Sequence, residues 1–319
     1  MAATGEKVGV EFRENVPLAD FSSYRIGGPA RVYGAAENLA EVREAVAEAQ
    51  RLRLRLFVLG AGTNLLIDDR GFDGLVLRPN LRALTAEGTR VHVGAGILVA
   101  EMLEFLVAQG LAGLEWAGGL PGTVGGAVRG NAGAFGGEIK DVAVEVESLD
   151  TATLEVRARS GAECGFGYRN SIFKQRPGEI ILTATFALRA GDAASIVRVI
   201  EERKQYRRRR HPLEYPNVGS IFKNVDVERA PEALRRLCAR VIKMDPFPVI
   251  PTAFLLSEAQ LKGLREGGAM ISPKHPNFIV NVDHARSADV RSLIEQAKKT
   301  IGERFGVRLE EEIQYVNGS

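Results

Sequence analysis

The residues predict a mixed fold of the α+β or α/β class built from two or three domains, and three observations carry that reading. The chain has 319 residues, more than one hydrophobic core of ordinary size would fill. Helical and strand-like periodicities alternate along most of it. Between Gly118 and Gly137 stand nine glycines in twenty residues, with no acidic side chain. An interior glycine costs roughly 0.5–1 kcal/mol relative to alanine, so no ordinary helix or strand is expected there. The run predicts instead a backbone that approaches a ligand, offering N–H groups and positive-φ turns where a side chain would collide. Leu120, Val124, Ala127, Val128 and Phe135 interleave it, whereas flexible linkers are rich in Ser, Gln and Lys.

Taken in order, Asn38 followed by Glu41 has the form of a capping box, and Leu39, Val42 and Val46 recur at helical spacing, which predicts a helix over 38–52. Leu54–Leu59 reads as a buried strand running into the turn Gly60-Ala-Gly-Thr-Asn-Leu65. Short β-like pieces fill 71–93, and 98–109 is a helix with Leu98, Met102, Phe105 and Leu106 facing inward. After the glycine-rich run, Val142–Arg157 and Glu179–Arg189 read as strands around the turn-rich Gly161–Lys174. A helix over Ala193–Arg208 ends in Arg207-Arg-Arg-Arg210-His-Pro, where the proline stops it. A new unit begins near Tyr215. It holds a helix over Pro231–Arg240, a helix begun by Thr252, a strand at Asn277–Val282, a helix capped by Ser287 and closed by Gly306, and a last strand over Arg308–Val316.

Composition narrows the function. The 42 basic and 40 acidic residues leave a net charge of +2, too little for a dedicated nucleic-acid binder. Cys164 and Cys238 are far apart, without a Cys-x-x-Cys pair, so neither a disulfide framework nor a metal site is expected. There is no long apolar run for a membrane span, and Met1–Lys7 lacks the apolar core of a signal; the expected compartment is the cytoplasm. The common nucleotide motifs fail. Gly60-Ala-Gly62 lacks the third glycine of the dinucleotide fingerprint, and no phosphate-loop Gly-Lys-Ser/Thr occurs. What remains is two glycine-rich loops about sixty residues apart, each able to present backbone N–H groups to a diphosphate, which suits a long dinucleotide.

Ser23-Tyr-Arg-Ile-Gly-Gly-Pro-Ala30, Leu59-Gly-Ala-Gly-Thr-Asn-Leu-Leu66, Gly71-Phe-Asp-Gly-Leu-Val76, Pro121-Gly-Thr-Val-Gly-Gly-Ala-Val128 and Asn131-Ala-Gly-Ala-Phe-Gly136 are joined by a second group of segments. Those are Tyr168-Arg-Asn-Ser-Ile-Phe-Lys174, Gly219-Ser-Ile-Phe-Lys-Asn224, Leu261-Lys-Gly263, Lys274-His-Pro-Asn-Phe-Ile-Val-Asn281 and Leu309-Glu-Glu-Glu-Ile313. In this order, across residues 15–316, the chain resembles the UDP-N-acetylenolpyruvoylglucosamine reductase (MurB) family. The resemblance implies an α+β protein. Its parts are an FAD-binding fold of the vanillyl-alcohol oxidase and p-cresol methylhydroxylase type in two subdomains, 1–80 and 81–214, with that module at about 22–190, and a C-terminal substrate domain, 215–319. It also implies that NADPH reduces FAD and that the enolpyruvyl group of a UDP-sugar is reduced to give UDP-N-acetylmuramate.

Reduction of that double bond builds negative charge on an enolate, which needs cationic or hydrogen-bonding groups, and then a proton donor for the other carbon. By resemblance the catalytic residues are Arg169, whose guanidinium fork suits a carboxylate, Ser220 as proton donor, and Glu312. Alternation in a last strand places Glu310 and Glu312 on one face, and only the family register favours Glu312. Serine is a weak acid, so cations such as Lys223 or Lys274 would have to stabilise the alkoxide. The FAD cradle is assigned to Gly60, Ala61, Gly62, Thr63, Asn64, Leu65, Gly118, Pro121, Gly122, Gly125, Gly126, Ala127, Asn131, Gly133 and Ile181. Substrate contacts are assigned to Arg209, Arg210, Lys223, Asn224 and Lys274.

Val225, Pro276 and His211 depart from the family's usual proline, alanine and glutamine without removing a chemical group from this site. Only His211–Val218 separates the basic helix from Gly219, so the chain resembles the shorter, type II form, lacking the long substrate loop. Two other readings stand beside the reductase: a flavin oxidase or dehydrogenase of the same superfamily, and an RNA-associated basic protein. The expected partner is the small UDP-sugar, with neither nucleic acid nor membrane. A monomer is compatible with the residues, which set neither oligomeric state nor a preference for NADPH over NADH.

Overall fold

The computed structural model describes residues 9–318; the Met1–Lys7 segment read for a signal lies outside them. The first sheet has the order β1-β2-β5-β3, with β1 (Phe12–Pro17) antiparallel to β2 (Pro29–Ala36). Helix α1 (Leu39–Arg51) crosses from β2 to β3 (Arg55–Val58), and β5 (Phe72–Pro79) pairs parallel with both strands. The expected cap is present: Asn38 accepts from the Glu41 amide at 3.0 Å, and Glu41 reaches back to the Glu37 amide. Val42, Ala45, Val46 and Ala49 form the helix's buried stripe, the spacing of a helix laid on a sheet. Between β3 and β5 the short strand β4 (Leu65–Ile67) leaves this sheet to pair elsewhere.

A five-stranded antiparallel sheet follows, joining β6 (Leu84–Glu87) and β7 (Arg90–Gly94) to three later strands. Helix α2 spans Val99–Ala108 with Val99, Met102, Leu103 and Leu106 buried. Leu98, expected inside, is the N-cap residue and is exposed, because the capping carboxylate of Glu101 draws that position to the surface. The glycine-rich run is neither a linker nor free of regular structure. It contains α3 (Val124–Arg129), capped by the Thr123 hydroxyl, and a hairpin of β8 (Gly133–Ala134) and β9 (Gly137–Glu138). The helix keeps Gly125 because a Cβ there would lie 2.9 Å from the Ala95 Cβ, so close packing offsets the entropic cost. The expected single strand 142–157 is two strands, β10 (Ala143–Asp150) and β11 (Val156–Ser160), since Asp150 caps a turn by accepting from Ala152 and Thr153. Strand β12 (Glu179–Ala187) lies between β10 and β7. Helix α4 (Ala193–Arg210) is capped by Asp192 and runs two residues beyond the expected end.

The last part packs on α5 (Thr252–Glu258), the strands β13 (Arg265–Glu266), β14 (Ala269–Ile271) and β15 (Ile279–Asn281), and α6 (Ser287–Phe305). Ser287 is not the cap of α6 but its first residue. Its hydroxyl and amide bond the Asp69 carboxylate, while Asp289 accepts from the Arg286 amide and closes the turn. The last strand, β16, is only Gln314–Val316, parallel to β4; residues 308–313 approach Ile221–Lys223 through an isolated bridge instead. Tyr24, Ile26 and Leu66 enter the C-terminal core, and the Tyr24 hydroxyl donates to the Ile279 carbonyl at 2.8 Å. Cys164 and Cys238 are buried thiols. No described helix is long and apolar enough to cross a membrane.

Candidate active site

The two glycine-rich loops face each other. A Cβ on Gly60 would lie 2.9 Å from the Thr123 hydroxyl, and one on Gly122 (φ +114°) would lie 3.1 Å from the Thr63 hydroxyl. Among the described residues the amides of Gly60, Ala61, Gly62, Thr63, Gly119, Gly122 and Thr123 donate to no protein acceptor. Two facing loops of free N–H groups fit an oxygen-rich group such as the diphosphate of FAD. A cleft lined by Asp20, Phe21, Ser22, Ser23 and Arg78 opens beside Gly60 and Ala61. Other assigned residues have intramolecular work. Gly118 lets the loop meet α4, where a Cβ would lie 2.5 Å from the Ile200 carbonyl. Asn131 is fully buried; its amide donates to the Gly167 carbonyl at 2.9 Å and accepts from the Lys140 amide at 3.0 Å. Ala127 and Ile181 are buried apolar side chains of the core behind the loops, Leu65 starts β4, and Pro121 and Gly126 flank the Thr123 cap.

The chain's end is tied directly to this cradle. Asn64 donates from its side chain to the Glu312 carbonyl at 3.1 Å, and its own carbonyl accepts from the Gln314 amide at 3.0 Å. Gln314 in turn accepts from Arg129 of α3 at 2.6 Å. Glu312 makes an ion pair with Arg169 at 2.6 Å, both side chains largely buried. Arg169 adopts φ +54° and donates to the Gly133 carbonyl at 3.0 Å, at the base of the β8–β9 hairpin. Burial works to lower the Arg169 pKa, and the charge and hydrogen bond of Glu312 outweigh it, leaving the guanidinium above its ordinary value. Glu311 instead faces Lys298, and Glu310 reaches out to Lys223 at 3.3 Å and Arg229 at 3.2 Å. The ambiguity between Glu310 and Glu312 is thus a difference in surroundings: Glu310 is 56% exposed and Glu312 20%.

Ser220 follows Gly219, whose φ of +82° turns the chain. The next residue, Ile221, accepts from the Glu312 amide at 2.8 Å, which sets Ser220 one residue from the Arg169–Glu312 pair. Asn277 fixes this segment from the other side, exchanging hydrogen bonds with Phe222. The assigned substrate residues divide. Asn224 accepts from the Thr252 amide, Lys223 is half-buried beside Glu310, and Lys274 donates to the Arg208 carbonyl and to Glu214. Arg209 and Arg210 lie on the exposed end of α4. Two residues went unassigned. Lys174 donates to the Arg169 carbonyl at 3.0 Å, and burial, then Lys223 and Arg129, lower its pKa. Arg207 donates to the Gly118 carbonyl at 3.0 Å. Lys174 closes the Tyr168–Lys174 motif, and Arg207 sits four residues after Arg203 on one helix face, so both were within reach of the pattern.

Residues 30–157 match the profile of the FAD binding domain, and residues 211–316 match that of the UDP-N-acetylenolpyruvoylglucosamine reductase C-terminal domain. A UDP-N-acetylenolpyruvoylglucosamine reductase of Lactobacillus delbrueckii subsp. bulgaricus is 36% identical over 313 residues, covering 97% of this chain and 96% of the relative. The chain belongs to the UDP-N-acetylenolpyruvoylglucosamine reductase family. Another reductase of that name, from Levilactobacillus brevis, is 38% identical over 309 residues, covering 96% of this chain and 93% of its own length. The crystal structure of the family member from Thermus caldophilus superposes with a TM-score of 0.75 at 31% identity, covering 97% of this chain and 99% of that one. The α+β fold with an FAD-binding part, expected from the motifs, is therefore the fold of this reductase family.

Proposed function

We propose that this protein reduces the enolpyruvyl group of UDP-N-acetylglucosamine enolpyruvate to UDP-N-acetylmuramate, with FAD as cofactor and NADPH as reductant, in cytoplasmic peptidoglycan precursor synthesis. The observation that carries the reading is the part-buried Arg169–Glu312 pair set beside two facing loops of free amides, in a chain of this family. Gly60–Asn64 and Gly119–Thr123 would hold FAD, which would supply the hydride carrier between NADPH and the double bond. Residues 1–80 and 81–214 serve the cofactor, with Arg169 reaching the substrate from them, and residues 215–319 serve the UDP-sugar.

Arg169 holds the substrate carboxylate and meets the charge that develops as it becomes an enolate; donors aimed at developing charge are worth about 10²–10³ in rate each. Glu312 on Nε and the Gly133 carbonyl on Nη2 together fix the direction of the guanidinium. Ser220 hands its proton to the carbon left after reduction, and Lys174, Lys223 and Arg129 supply the positive potential that eases loss of that proton. The test is a flavin spectrum followed by a coupled assay. Yellow protein whose NADPH oxidation depends on UDP-N-acetylglucosamine enolpyruvate supports the reading. Colourless protein that releases no flavin, or NADPH oxidation that ignores the UDP-sugar and yields peroxide, contradicts it.

A further inference from the structure

We propose that Phe247, at the tip of an excursion over residues 225–250, is a positioning residue for Arg169: its ring holds Tyr168, and through it the turn that presents the guanidinium. The inference rests on the function proposed above and adds a residue that acts on its site from the C-terminal part. Gly167 and Asn170 exchange both backbone hydrogen bonds, at 3.0 and 3.1 Å, so Tyr168 and Arg169 are the two central residues of a tight turn. Arg169 has φ +54° in it, and a non-glycine residue in the left-handed region persists only where its surroundings fix it. On one side they do. Glu312 and the Gly133 carbonyl take the guanidinium, Lys174 donates to the Arg169 carbonyl, and Asn131 donates to the Gly167 carbonyl. Tyr168 shares the turn, and its ring centre lies 5.4 Å from the Arg169 guanidinium carbon, so a tilt of one displaces the other.

The ring that meets Tyr168 is Phe247, edge to face, with centres 5.2 Å apart and planes at 84°. Phe247 is carried on an anchored frame. Val225–Asp226 and Val249–Ile250 pair antiparallel as the neck of the excursion, and Thr252 ties that neck to the Gly219–Asn224 motif by bonding the Asn224 side chain and the Lys223 carbonyl. Ala230, Leu234, Cys238 and Ile250 sink into the C-terminal core. Beyond them Lys243 and Val249 exchange both backbone hydrogen bonds, at 2.9 and 2.8 Å, and close a loop of the five residues 244–248. Met244, Asp245, Pro246 and Pro248 of that loop are exposed, and Phe247 alone is half-buried, against Tyr168. The excursion thus leaves the chain beside Ser220 and Asn224 and returns one aromatic ring to the turn that bears Arg169. An edge-to-face pair biases such a turn by about two- to tenfold beyond the area it buries.

The experiment is a double-mutant cycle on the flavin-loaded protein: wild type, Phe247→Ala, Tyr168→Leu and the double variant, each followed by rapid mixing through both half-reactions. Phe247→Ala is expected to slow reoxidation by saturating UDP-N-acetylglucosamine enolpyruvate about five- to tenfold, while flavin reduction by NADPH stays within about twofold. Phe247→Tyr, which keeps the ring, should restore reoxidation to within about twofold of wild type. Phe247→Leu, which fills the space without a ring edge, should fall between them and takes the place of Phe247→Ala if that variant does not fold. In the Tyr168→Leu background, removing Phe247 should cost less than about twofold, because the two residues act as one unit. Reoxidation unchanged by Phe247→Ala, equal loss in both half-reactions, or the same loss with and without the Tyr168 ring overturns the proposal. Wild type that fails to turn over the UDP-sugar overturns the functional reading instead. Thermal melts of the same four proteins then decide the contact separately: melting shifts that are not additive support it, and additive shifts overturn it.

Discussion

The two arginines at the ends of the Gly133–Glu138 hairpin are held in opposite ways. Arg169 has a carboxylate at 2.6 Å and a pKa above its ordinary value; Arg207 has a carbonyl, an aromatic face and a pKa pushed down to about 10. A paired cation is fixed in direction before substrate arrives and is suited to meet charge that develops in one place. An unpaired one gains most when an anion binds. On the function proposed above Arg169 faces the reacting group, while Arg207, with the same side chain, keeps an uncompensated charge beside the Gly118 loop.

The comparison breaks most visibly at Arg169. Arg169→Ala is expected to lower kcat/KM about 10²–10³-fold at unchanged flavin content, and Arg169→Lys to recover little, because a lysine lacks the planar fork. Steady-state kinetics with flavin quantified by absorbance check this. Next, Glu312→Gln, which leaves Arg169 without its counter-charge, should lower kcat about 10-fold or more, whereas Glu310→Gln on the exposed side should stay within about twofold. Equal losses at the two glutamates would erase the distinction drawn from their surroundings. The hairpin itself can be disturbed through Gly137, where a Cβ would lie 2.2 Å from Trp116 Cδ1. Gly137→Ala is expected to cost about 1–3 kcal/mol in urea unfolding.

The smallest expected effect concerns acid. The His211 and His275 rings meet edge to face and both pack against Phe278, and burial, helped by nearby cations, lowers both pKa values to about 4. A histidine whose folded pKa lies below its unfolded value of about 6.5 binds more protons when unfolded. Stability should therefore decline as pH falls from about 6.5 to about 4 and level off below. Thermal melts across that range should show a shallower decline in His275→Gln.

Much of the architecture was legible because it is local. The Asn38–Glu41 cap, the α1 stripe and the proline that ends α4 are short-range patterns that survived folding unchanged. What the residues could not show is long-range. Gly118, Gly125 and Gly137 serve contacts with Ile200, Ala95 and Trp116, partners that only the fold brings near. Residues 308–313 carry a strand-like pattern, yet Asn64, Ile221 and Arg169 take them as a site segment and leave only Gln314–Val316 to pair as a strand. For the site, motif register named Arg169, Ser220 and Glu312, which the fold brings near one another, whereas a run of four arginines does not reveal which one faces Gly118: that is Arg207, with Arg209 and Arg210 on the exposed end of the helix.

On the function proposed above, the oxidative half of the cycle depends on a proton from Ser220 and the reductive half does not. Rapid mixing of Ser220→Ala, first with NADPH and then with UDP-N-acetylglucosamine enolpyruvate, tests it. Flavin reduction should proceed within about twofold of wild type, and reoxidation by the UDP-sugar should slow by at least about 10²-fold. Equal loss in both half-reactions, or reoxidation at the wild-type rate, would contradict the account.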